Sequence, residues 1–98
     1  MKSELKNYEF MGIIKPFLPE DVRIKLFEDI KKLFTSRKGE IIDEYIWGKR
    51  HLAYKIGEHE EGYYFVLKLA LPKDKLKDIE EDLRMTNDLL RYIINKLD

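Results

Sequence analysis

The chain contains no cysteine, which excludes disulfides, thiolate metal sites and cysteine nucleophiles. Glutamine is missing too. No stretch is both apolar and long enough to cross a bilayer, so no membrane partner is expected. Met1 to Lys6 carries charge with no apolar run behind it, and no secretory signal is expected there. Neither sign of charge is in excess, with 19 Lys and Arg against 19 Asp and Glu. That balance excludes a bulk polycation that coats nucleic acid and leaves room only for a local patch. Glycine-rich phosphate loops are absent. The only histidines are His51 and His59, and no acidic pair stands in a recognisable catalytic motif. His59 lies in an acidic turn and reads as solvated. The chain is therefore not expected to be an enzyme, and no cofactor, metal or small-molecule substrate is expected.

What remains is a chain of 98 residues, 44% hydrophobic and 39% charged. That is enough for one domain with a core of its own, spanning residues 1–98. A cytoplasmic protein is the simplest fit. High charge without glutamine or cysteine also leans towards a thermophilic source, where ion-pair networks gain value and thermolabile residues are avoided.

Along the chain, Asn7 to Lys15 reads as a strand, with Tyr8, Phe10, Gly12 and Ile14 on one face and Glu9, Met11, Ile13 and Lys15 on the other. Leu18-Pro19-Glu20-Asp21 opens a helix, its acids placed where the helix dipole favours them. Val22, Leu26, Phe27, Ile30, Leu33 and Phe34 form its apolar stripe, and Gly39 can take the left-handed stop. Phe27 and Phe34 are core residues by this spacing. Glu40 to Ile56 is too long and interrupted for one flat strand, and its register can shift at Gly48. Gly57 to Gly62 reads as a polar hairpin turn leading to a strand from Tyr63 to Leu71. Pro72 starts a second helix with Leu76, Ile79 and Leu83 inward, and Leu89 to Asn95 is the last strand.

The order strand, helix, strand, strand, helix, strand predicts an α+β, ferredoxin-like βαββαβ sandwich. It is a four-stranded antiparallel sheet with two helices on one face. The other face then carries Met11, Ile13, Tyr64, Val66, Arg91 and Ile93, more apolar surface than solvent contact requires. Scattered surface hydrophobes are the alternative. RNA-recognition domains of this topology stack bases on aromatics of the central strands. Here the outward positions of the first strand are Glu9, Met11 and Ile13, so phosphate contacts and shape are the better mechanism for any RNA contact.

The densest local chemistry is Trp47-Gly48-Lys49-Arg50-His51-Leu52-Ala53-Tyr54. It joins an indole, a glycine suited to a bulge and three basic side chains. Those cations complement a phosphate backbone, and equally block unwanted pairing at a sheet edge. Tyr8-Glu9, this stretch, Gly62-Tyr63 and Leu90-Arg91, in that order and spacing, resemble the bacterial family of the sixth protein of the small ribosomal subunit. The resemblance implies a structural, non-catalytic protein of the ribosome that binds small-subunit rRNA together with ribosomal protein eighteen in the subunit platform. Carried over, Lys49 and Arg50 face RNA phosphates. His51 stands where a second arginine is usual, and Arg91 matches the family's arginine near the last strand. Met11, Ile13, Tyr64, Val66 and Ile93, with Trp47, are the expected partner-binding residues. From the fold alone, a ligand-sensing or oligomerising ferredoxin-like module is the alternative.

Overall fold

The computed structural model describes residues 4–97. Strand β1 spans Leu5–Ile14, helix α1 Glu20–Thr35, β2 Glu40–Ile56 and β3 His59–Pro72. A 3-10 turn at Lys73–Lys75 leads into α2, Leu76–Arg84, and β4 covers Leu89–Lys96. The sheet order is β2-β3-β1-β4 with every neighbouring pair antiparallel. This is the expected ferredoxin-like arrangement, with the two terminal-half strands β1 and β3 in the centre.

Alternation along β1 builds the core. Tyr8, Phe10 and Ile14 are buried and face Phe65, Leu67, Leu69 and Leu71 of the same cluster. Ile30 and Phe34 of α1 and Ile79 and Leu83 of α2 close it from above. Phe10 meets Phe34 edge-on at 5.4 Å, and Phe27 meets Phe65 edge-on at 5.0 Å. Each fully buried side chain of this size adds roughly 1.5–3 kcal/mol of transfer free energy. Arg37 of the α1 exit also pairs with Asp82 of α2, tying the helices together at the surface.

Several local expectations change. Val22 is 41% exposed and outside the core. It precedes Ile30 by eight residues, so it lies about 80° round the helix from the buried line. The left-handed residue after α1 is Lys38, φ 67°, and not Gly39. The Gly39 amide donates to the Phe34 carbonyl at 2.9 Å and that of Lys38 to the Thr35 carbonyl, which is the Schellman pattern. Glycine is needed at 39 for a different reason: a Cβ there would sit 2.7 Å from the Phe34 carbonyl oxygen. Pro72 ends β3 instead of opening α2, because the 3-10 turn intervenes.

The hairpin is also tighter than its polar sequence suggests. Ile56 pairs with His59, so Gly57-Glu58 alone makes the turn, with Gly57 at φ 60°. His59 to Gly62 belong to β3. Pairing of β1 with β3 stops at Ile14 and Tyr63. Beyond it β2 and β3 continue as a two-stranded arm, which stretches the molecule to 45 × 26 × 23 Å.

Candidate docking face and basic edge

The strand register decides which side chains meet on the uncovered face. Ile13 lies opposite both Tyr64 and Arg91, forming one row. Val66 lies opposite Met11 and Tyr45, and Met11 opposite Ile93, forming the next. A third row, Asp43, Lys68, Glu9 and Asn95, is polar. Lys68 stands between two carboxylate positions there, with its ammonium 5.8 Å from the Tyr45 ring centroid. The face therefore grades from apolar at the arm end to charge-balanced at the other.

Trp47 joins the apolar end through a bulge. Ile46 pairs with Phe65 and Gly48 with Tyr64, leaving Trp47 as the additional residue. Gly48 accommodates this at φ 83°, a region that L side chains rarely adopt. The indole stacks on Tyr64 with ring centroids 6.4 Å apart and planes 12° apart. Trp47 and Ile93 keep 48% and 49% of their surface exposed, whereas Val66 keeps only 5%. The six expected partner residues thus share one face, with Val66 as its floor. Tyr45 belongs to the same surface and escaped the sequence reading. Its alternation with Asp43 was visible, but the face it shared was fixed only by pairing with Val66.

The bulge has a second effect. One extra residue inverts the alternation that follows, so Lys49, opposite Tyr63, turns to the helix side. Its ammonium lies 4.6 Å from the centroid of the exposed Phe17 ring. Arg23 of α1 lies 4.6 Å over Tyr63 beside it. Phe17 and Arg23 had no sequence signal, because their role arises from contact between distant elements. Arg50 falls opposite Gly62 on the open side, and His51 opposite Glu61. Lys49, Arg50 and His51 are all exposed along the edge strand β2. Arg91, also exposed, is on β4 at the other edge of the sheet. The first three follow one another along the β2 edge but alternate between the two sides of the sheet, and Arg91 stands with the apolar face.

The most perturbed cation is elsewhere. Burial acts to lower the Lys31 ammonium, but its contacts with Glu28 at 2.9 Å and Glu44 at 3.1 Å hold it above its ordinary 10.5. This bridge joins α1 to β2 and fixes the covered side of the edge strand. Among the described residues, no group of three His, Asp or Glu could hold a metal ion, and no helix is long and apolar enough to cross a membrane.

These surfaces and the strand order define a ferredoxin-like α+β domain with an uncovered apolar sheet face and a basic edge. The family model described as Ribosomal protein S6 matches residues 7–96. Small ribosomal subunit protein bS6 of Desulforudis audaxviator is 37% identical over 94 residues, spanning 96% of this chain and 100% of that protein. The protein of the same name from Caldanaerobacter subterraneus is 38% identical, spanning 96% and 99%. The crystal structure of 30S ribosomal protein S6 from Thermotoga maritima superposes with a TM-score of 0.89 at 33% identity, over 96% of this chain and 89% of that one. A chemotaxis kinase CheA P2 domain, solved in complex with CheY from the same organism, shares the fold alone, at a TM-score of 0.64 and 21% identity. The chain belongs to the ribosomal protein S6 family. It is a structural protein of the small ribosomal subunit and not an enzyme.

Proposed function

We propose that this protein binds small-subunit (16S) rRNA together with ribosomal protein eighteen, as a heterodimer in the platform of the subunit, in the cytoplasm. The observation that carries this reading is the separation of chemistry on one sheet. Apolar side chains gather on the open face around Trp47, Tyr64, Met11 and Ile93, while Lys49, Arg50 and His51 line the β2 edge. The open face is the docking surface for the protein partner. The β2 edge supplies phosphate contacts, with Arg91 at the far rim of the docked face.

A neutral chain suits this division. As half of a heterodimer it contributes shape, an apolar surface and a few cations, and its partner supplies the remaining attraction for RNA. A ligand-sensing role fits the open face poorly. The depression between Met11, Ile13, Arg91 and Ile93 holds only about 20 Å³, against the several hundred that a metabolite occupies.

The test is binding to a platform fragment of small-subunit rRNA, with and without protein eighteen. Tight binding is expected only with both proteins present. No binding in that mixture would overturn the reading, and a saturable metabolite-induced thermal shift without RNA would favour the sensing alternative.

A further inference from the structure

On the covered side of the sheet, diagonal to Lys49, α2 and the end of β4 leave a wide, shallow cleft open to solvent, of about 410 Å³. Tyr8, Leu76 and Ile94 form its apolar floor. Lys73, Lys77 and Lys96 stand around it with one carboxylate, Glu80. The register explains the assembly, since Lys96 lies opposite Tyr8 and Ile94 opposite Phe10. On the facing element, three- and four-residue spacings bring Lys73, Leu76, Lys77 and Glu80 round to one side.

The three lysines take no part in the ion pairs found among the described residues. A neighbouring depression, lined by Glu4, Lys6, Lys73 and Asp74, balances its charges. Lys73 borders both, and even with it assigned to that depression the cleft stays net positive, Lys77 and Lys96 against Glu80, in a chain of zero formal charge.

We infer that this cleft is a second contact for the phosphodiester backbone of RNA, separate from the basic edge of β2. The inference rests on the rRNA-binding reading above. Lysines act on phosphate as point charges, and an apolar floor accepts the sugar. No forked donor is present to read a base edge, so the contact is independent of sequence. Its distance from Lys49 is decisive. Lys49 stands at the level of Ile14 on β1 and Lys96 at the level of Tyr8, roughly 20 Å apart along the strands, and three strand spacings add about 14 Å across. No single phosphate reaches both sites, so the cleft and the β2 edge engage different phosphates of the RNA.

The experiment uses the full chain, protein eighteen and the platform fragment. Lys77→Gln with Lys96→Gln is compared with Lys49→Ala/Arg50→Ala and with Lys77→Arg/Lys96→Arg, all checked for unchanged thermal unfolding. The glutamine pair should weaken assembly roughly three- to tenfold and lower the salt slope by about one to two. The arginine pair should restore both. Unchanged affinity and slope in the glutamine pair, while the wild type binds and the edge variant weakens, would overturn the cleft and leave the RNA reading standing. Weakening that arginine does not restore would also overturn it, because charge would not be the cause. A wild type that fails to bind even with protein eighteen would remove the reading and the inference together.

Discussion

The two faces of this sheet are cut from the same strands, and they differ in what their apolar residues touch. On the covered face, Phe10, Phe65, Leu67 and Leu71 are wholly buried by the two helices. On the open face, Met11 and Tyr64 are half-buried, and Trp47, Tyr45 and Ile93 are exposed. Neighbouring residues in sequence thus serve opposite ends. The covered set stabilises the monomer, and the open set keeps apolar area at the surface. What separates them is parity along each strand, so a single bulge at Trp47 is enough to reassign side chains between the two roles.

That contrast breaks most visibly in the core. Phe34→Ala should cost about 3–5 kcal/mol, read as a lowered midpoint in denaturant unfolding, because Phe34 is wholly buried against Phe10. A loss below 1 kcal/mol would mean the covered face is not the one that stabilises the fold. Gly48→Ala tests the bulge that sorts the two faces. It meets no steric obstacle, but forces a Cβ onto a backbone at φ 83°. About 1–2 kcal/mol of destabilisation is expected. If stability is unchanged, the bulge does not depend on glycine at 48.

At the edge between the faces, Lys49→Ala/Arg50→Ala should leave unfolding unaltered and reduce the salt slope of ternary assembly by about one to two. An unaltered slope would leave those cations with the blocking role that the edge position also allows. The smallest effect concerns Lys31. Its ammonium is held above its ordinary value in the folded chain, so the stability it contributes is fully present below about pH 10 and is lost as pH rises through the folded value. With Glu28 and Glu44 both partly exposed, a few tenths of a kcal/mol is the expected scale. Comparing wild type with Lys31→Met across that range would reveal it, and parallel curves would exclude it.

Much of the fold was legible because alternation and helical spacing act locally. Phe10, Phe65 and Ile79 took their places from period alone, and strand order followed from short connections and the handedness of crossovers. Less of the site could be read. Met11, Ile13, Tyr64, Val66 and Ile93 came from the same alternation, yet the side taken by Lys49 depends on which residue the bulge adds. The helix stop misled for a related reason. Gly39 invited a left-handed assignment, but a carbonyl crowding position 39 used the glycine for closeness and passed the strained angle to Lys38. The cleft of Lys73, Lys77 and Lys96 stayed invisible because three lysines among 19 basic residues gain meaning only when β4 is laid beside α2.

The division between a stabilising face and a proposed docking face is tested most directly by Ile93→Glu, at an exposed position that the core does not use. Heterodimer formation with ribosomal protein eighteen should be measured by calorimetry beside the unfolding midpoint of the isolated chain. The expected result is at least a tenfold weaker heterodimer, on the order of 1.4 kcal/mol, with the midpoint nearly unmoved. Undiminished binding to protein eighteen by the glutamate variant would contradict the assignment of the open sheet face as the docking surface.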